Sequence, residues 1–141
     1  MSTYRFHDVL IGCDVEAGYP ISDSLSIENN GEPGQAKTLF FPGCSFLSFA
    51  APLVQSVYQL LLDAQVVDGI SVLCCGKILL FEPDGKATYE RYGHDLRDLV
   101  VKAGVEKIVC ACPNCVDILH KIFDEDERTA NLELVALHIV L

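Results

Sequence analysis

A chain of 141 residues is the size of one domain, long enough to bury a sizeable core without disulfide support. Ten Lys+Arg against twenty Asp+Glu give a net charge of -10 and a pI near 4.6. That balance excludes a nucleic-acid backbone or an anionic membrane surface as a partner.

Residues 1–36 form an N-terminal extension, partly irregular, punctuated by Gly18, Pro20, Gly31, Pro33 and Gly34. The first residues contain no basic segment followed by an apolar core, so no signal peptide is visible and the expected compartment is the cytoplasm. Within the extension only Asp8 to Gly12 has the pattern of a short strand. The turn-rich stretch from Asn29 to Gly34 ends it. From residue 37 to residue 141 the pattern is regular and describes one domain. Thr38-Leu39-Phe40-Phe41 is a continuous apolar run ending at Pro42-Gly43, as in a strand buried on both faces. The uncharged run from Thr38 to Leu62 is long enough for a bilayer. Pro42-Gly43 and Pro52 break it, however, and Gln55 and Gln59 sit where lipid would be, so a buried strand, loop and helix is expected and no membrane insertion.

Pro52 suits a first helical turn, and Leu53, Val57, Leu60, Leu61 and Ala64 recur at helical spacing to about Gln65. Ile70 to Leu73 is a second strand that runs directly into Cys74-Cys75-Gly76. After the turn at Pro83-Asp84-Gly85, one helical face carries Tyr89, Tyr92, Leu96, Leu99, Val100 and Ala103, and Gly104 would cap that helix. Lys107 to Ala111 is a third strand. Pro113 opens a helix with Cys115, Ile118, Leu119 and Ile122 inside, and Leu132 to Leu137 is a fourth strand. Strands alternating with helices predict an α/β fold: an open, mostly parallel sheet of about four strands with helices on both faces. Half of the residues are hydrophobic, which a buried parallel sheet explains, as does surface covered by a second copy or another subunit.

Each cysteine group then lies at the carboxyl end of a strand, the edge where open α/β sheets bind ligands. Cys44, Cys74-Cys75 and Cys112-Pro113-Asn114-Cys115 would therefore converge on one crevice. Thiolates suit soft or borderline metal ions, and Cys112 to Cys115 lie at a helix N-terminus that favours thiolate over thiol. Five cysteines exceed the four ligands of tetrahedral zinc and favour an iron-sulfur cluster, with a zinc-binding interaction module as the alternative. A dithiol redox protein using Cys112 and Cys115 is the third possibility. Cys13 and Cys110 are expected to be ordinary buried hydrophobes. His94 and His120 fall off the apolar faces of their helices, His7 and His138 lack a matching catalytic partner, and no Ser-His-Asp set, phosphate loop or Rossmann fingerprint is present. Lys77 is either a solvated side chain or a counter-charge to a thiolate-rich centre.

Phe40-Phe41-Pro42-Gly43-Cys44-Ser45, Cys74-Cys75-Gly76-Lys77 and Ala111-Cys112-Pro113-Asn114-Cys115 resemble the CCG cysteine-rich domain. That domain occurs in the B subunit of heterodisulfide reductase and in iron-sulfur subunits of related lactate, glycolate and glycerol-3-phosphate oxidoreductases. The likeness spans about Lys37 to Leu141. It implies a non-cubane 4Fe-4S cluster held by Cys44, Cys74, Cys75, Cys112 and Cys115, serving electron transfer or disulfide reduction in a heterodisulfide-reductase-like complex. The chain carries one CCG motif and no ferredoxin-type CxxCxxC run, so the resemblance also implies a redox partner subunit, a flavoprotein or a ferredoxin-like protein.

Overall fold

Two apolar runs make the centre of a sheet. In the computed structural model, which describes residues 3–18, 26–28, 34–73, 83–111 and 113–137, strand β4 (Thr38–Phe41) pairs in parallel with β6 (Lys107–Cys110). The register sets Leu39 opposite Ile108, Phe40 opposite Val109 and Phe41 opposite Cys110. Only the first residue of each strand escapes full burial, as expected for strands covered on both faces. On the other side of β4 lies β5 (Gly69–Ile70), also parallel, and beyond β6 lies β7 (Glu133–Ala136).

The N-terminal segment extends this sheet. Strand β1 (Thr3–Asp8) pairs in parallel with β5 and antiparallel with β2 (Cys13–Gly18), and β2 pairs antiparallel with β3 (Ser26–Glu28). The full order is β3-β2-β1-β5-β4-β6-β7, an open and mostly parallel sheet. It has seven strands instead of about four, because β1 to β3 come from a segment whose pattern predicts only one short strand. That predicted strand, Asp8 to Gly12, is instead the last residue of β1 and the turn of Val9 to Gly12 that leads to β2. The Leu10 and Ile11 N–H groups donate to Asp8 Oδ1 at 3.0 and 3.3 Å, and the Gly12 N–H donates to the Asp8 carbonyl at 2.9 Å. Val9 and Leu10 are nevertheless buried, so their apolar character reflects a turn tucked into the core.

Helix α1 (Cys44–Asp63) covers one face of the sheet, and α2 (Gly85–Ala103) and α3 (Pro113–Asp124) cover the other. Side-chain alternation in the strands sorts the core accordingly. Leu39, Phe41, Ile108 and Cys110 pack with Leu96 and Val100 of α2 and with Ile118, Leu119 and Ile122 of α3. Phe6, Val15, Phe40, Ile70 and Val109 pack with Val54 and Leu61 of α1, and the Phe40 and Tyr58 rings stack at 6.4 Å. The predicted inner faces of α2 and α3 are therefore the observed ones. Gly104 closes α2 with φ +72°.

Helix α1 differs from its prediction in two respects. It begins at Cys44, eight residues before the expected Pro52 start, and carries Pro52 in its interior. Its buried face also centres on Val54 and Leu61, while Leu53 and Leu60 are 53% and 56% exposed. Two of the predicted inner residues hold, since Leu61 is buried and Val57 packs against the same cluster; with no charged residue between Thr38 and Leu62, the helical phase is only weakly marked. Among the described residues, no helix is long and apolar enough to cross a membrane.

Gly69 has a steric reason to be glycine. A Cβ there would lie 2.5 Å from Val9 Cγ2 and 2.8 Å from the Ala36 Cβ. Gly69→Ala is expected to destabilise the chain by about 1–3 kcal/mol, read as a lower urea midpoint, because β5 must shift against the buried turn.

A charged cluster ties the end of α3 to α2. Arg128 donates through Nη2 to Asp98 Oδ1 at 2.9 Å and to Asp126 Oδ2 at 2.7 Å, and the Thr129 hydroxyl donates to the Phe123 carbonyl at 2.7 Å. Arg128 holds the Asp126 carboxyl down at about 2, against an ordinary 3.8. A depressed carboxyl contributes stability that is complete above its unfolded value and is lost as pH falls through the folded one. Between about pH 4 and pH 2 the wild-type denaturation midpoint should therefore fall further than that of Arg128→Gln. The difference should shrink in high salt because the pair faces solvent.

Candidate metal centre

Parallel strands that neighbour one another end at the same edge. β5, β4 and β6 are consecutive in the sheet, and each is followed in sequence by one of the cysteine groups. β4 leads through Pro42-Gly43 to Cys44. β5 leads through Ser71-Val72-Leu73 to Cys74-Cys75, and β6 leads through Ala111 to Cys112 and then to Cys115 on α3. The topology thus directs three segments distant in sequence to one carboxyl-terminal edge, as the strand pattern predicts.

Cys44 is the first residue of α1. The preceding Gly43 has φ 85° and ψ 154°, a conformation that L side chains rarely adopt, so the strand-to-helix turn depends on glycine there. Cys115 is the third residue of α3, 4% exposed and packed within the core on the α2–α3 side. Pro113 takes the first helical position, where a missing N–H costs nothing, and so starts α3 just beyond the β6 edge. Cys74, Cys75 and Cys112 lie outside the described residues, as do Gly76 and Lys77. Among the described residues no group of three or more His, Cys, Asp or Glu side chains is arranged to hold a metal. What fits a thiolate-bound group is the donor chemistry together with the strand order: five sulfurs are carried by three segments leaving adjacent strands.

The two cysteines expected to be structural are buried, Cys110 at 0% and Cys13 at 2% exposure. Cys110 belongs to the α2–α3 core cluster, and Cys13 opens β2 opposite Asp8. His94 and His120 are exposed, as expected. His7 is half-exposed on β1, with Nδ1 3.0 Å from Asp14 Oδ1 on β2, and His138 lies outside the described residues. A surface depression of about 490 Å³ is lined by Lys37, Thr38, Leu62 and Asp68 among others. It sits at the amino end of β4, the opposite end from Pro42 and Gly43.

Sequence reasoning missed Asp8. This side chain is fully buried and has hydrogen-bond partners on both of its oxygens. Oδ1 accepts from the Leu10 and Ile11 N–H groups, while Oδ2 accepts from the Ser71 hydroxyl at 3.0 Å and the Val72 N–H at 2.7 Å. Burial pushes its carboxyl up from the ordinary aspartate value, against the pull of the hydrogen bonds from Val72, Ser71, Ile11 and Leu10. An acidic residue just before a short apolar run that ends in glycine was the available signal, since that is an Asx-turn pattern.

A family model described as CCG, the cysteine-rich domain, matches residues 38–119, more than half of the chain. Neither the curated proteins nor the solved structures contain a match to the chain.

Proposed function

From the premise that the chain belongs to the CCG cysteine-rich domain family, we propose that it is an iron-sulfur-binding redox subunit of a heterodisulfide-reductase-like oxidoreductase. The observation that supports this reading is the adjacency of the parallel strands β5, β4 and β6, after whose carboxyl ends Cys74-Cys75, Cys44 and Cys112 with Cys115 follow in the sequence. Five thiolates at one site supply one more donor than tetrahedral zinc uses, which favours a 4Fe-4S cluster of the non-cubane type. When bound, such a group supplies one-electron chemistry for electron transfer or disulfide reduction.

The chain's own contribution is the setting. Cys44 and Cys115 sit in the first turns of α1 and α3, directly after the carboxyl ends of β4 and β6. The buried strands β4 and β6 bring apolar residues up to that edge, and an apolar shell of this kind limits water access and tunes reduction potential. The proposal includes a redox partner, a flavoprotein or ferredoxin-like subunit, to exchange electrons with the cluster. Self-association is the other assembly it allows.

Visible absorption of the anaerobically purified chain, with iron, zinc and acid-labile sulfide analysis, tests the reading. Broad absorption with iron and sulfide in comparable amounts is expected. Colourless protein holding one zinc would replace it with a structural zinc module. Metal-free protein whose Cys112 and Cys115 cycle as a disulfide would replace it with a dithiol redox protein.

A further inference from the structure

Residues 1–37 lie outside the matched family region, yet β1 sends a buried carboxylate to the segment that delivers the cysteine pair. Asp8 and Ser71 are both 0% exposed, and with Thr129 they are the buried polar side chains among the described residues. Two buried polar groups 63 residues apart in sequence are costly to desolvate unless each finds partners, and here they find each other. β5 is only two residues long, ending at Ile70. Beyond it the chain is held by the Ser71 N–H donating to the Phe40 carbonyl at 2.9 Å and by the contacts to Asp8. The Ser71 hydroxyl in turn accepts from the Leu73 N–H at 3.4 Å. Hydrogen bonds starting at Asp8 therefore reach the backbone of the residue immediately before Cys74.

We propose that Asp8 and Ser71 are positioning residues for the Cys74-Cys75 pair, so that the N-terminal hairpin forms part of the metal site. This rests on the reading of Cys74 and Cys75 as ligands. Asp8 replaces the ladder that β5 lacks: Oδ2 fixes Ser71 and Val72, Oδ1 fixes the β1–β2 turn, and the one carboxylate locks the two together. Outer hydrogen bonds that orient ligands commonly change metal affinity by about 10–100-fold without changing the ligands themselves. An amide at position 8 has one accepting oxygen. It can serve either the turn or the Ser71-Val72 segment, and its NH₂ opposes an N–H on the other side.

The experiment uses the full chain, reconstituted anaerobically with iron and sulfide, in Ser71→Ala, Asp8→Asn and Cys74→Ser forms. Metal per chain, the rate of iron release to a chelator, the paramagnetic signal and the urea transition of the metal-free chain are measured. Ser71→Ala removes one hydroxyl and should keep a cooperative metal-free transition, release iron about 10–100-fold faster and shift the paramagnetic signal. Asp8→Asn should do the same more strongly. Wild-type release rates and signals in both variants, with Cys74→Ser depleted of metal, would overturn the positioning role and leave the ligand reading intact. Full metal content in Cys74→Ser would overturn both. If metal-free Ser71→Ala fails to fold, the pair is structural only and the proposal falls.

Discussion

Cys74→Ser is expected to lose most of its bound metal or to convert the centre, and to unfold at a lower denaturant concentration than the wild type. Serine keeps the size of the side chain but replaces a soft thiolate with a hydroxyl that stays protonated at neutral pH, so a soft or borderline metal loses a ligand. Binding free energy at a site that the unfolded chain lacks is partly folding free energy, and the loss therefore appears in both measurements. The comparison that gives the result meaning is Cys13→Ala. Cys13 is 2% exposed at the start of β2, on a strand that does not border β4 or β6. Its replacement should cost some packing and leave the metal content unchanged. Metal analysis together with urea titration of both variants decides the matter. Metal retained by Cys74→Ser and lost by Cys13→Ala would reverse the assignment.

The strands from which that prediction is argued were legible in the sequence. The runs Thr38-Leu39-Phe40-Phe41 and Lys107-Ile108-Val109-Cys110 can be placed from their unbroken apolar character. The helix over Gly85–Ala103 has Gly104 after its end, and α3 has Pro113 at its start, so those boundaries also carry local signals. The N-terminal hairpin was harder to see. In β1, Phe6 and Asp8 are buried while Arg5 and His7 are exposed and face Asp14 on β2. That is the two-residue alternation of a half-buried strand, but its inward set includes an aspartate, which a hydrophobicity pattern scores as outward. The local Asx pattern marks the turn that Asp8 caps through Leu10 and Ile11, but not its burial, which depends on Ser71 and Val72 far along the chain. The exposed Asp68 also acts at long range: its carboxylate accepts the Lys37 and Thr38 N–H groups at 3.0 and 2.8 Å and so anchors the start of β4.

Helix α1 gives the sharpest test of where sequence spacing and packing part. Spacing from Pro52 put Leu60 and Leu61 on one inner face, but only Leu61 is buried, at 1% exposure, whereas Leu60 is 56% exposed. Leu61 packs in the cluster formed with Phe40, Ile70, Val67 and Val109, and the Val66 N–H donates to its carbonyl at 2.9 Å where the helix turns toward β5. Leu61→Ala should therefore cost about 2–5 kcal/mol, the range for a buried leucine whose cavity closes only in part. Leu60→Ala removes side chain from water and should stay within about 0.5 kcal/mol of the wild type. Since a domain of this size is held by roughly 5–15 kcal/mol, the first change removes a large share of the total. It also loosens the helix whose first residue is Cys44, so metal retention should fall with Leu61→Ala and hold with Leu60→Ala. Urea titration of the two metal-free variants and metal content after reconstitution measure both effects. Equal costs at the two positions would mean that α1 meets the sheet on the ridge of Leu53 and Leu60 after all.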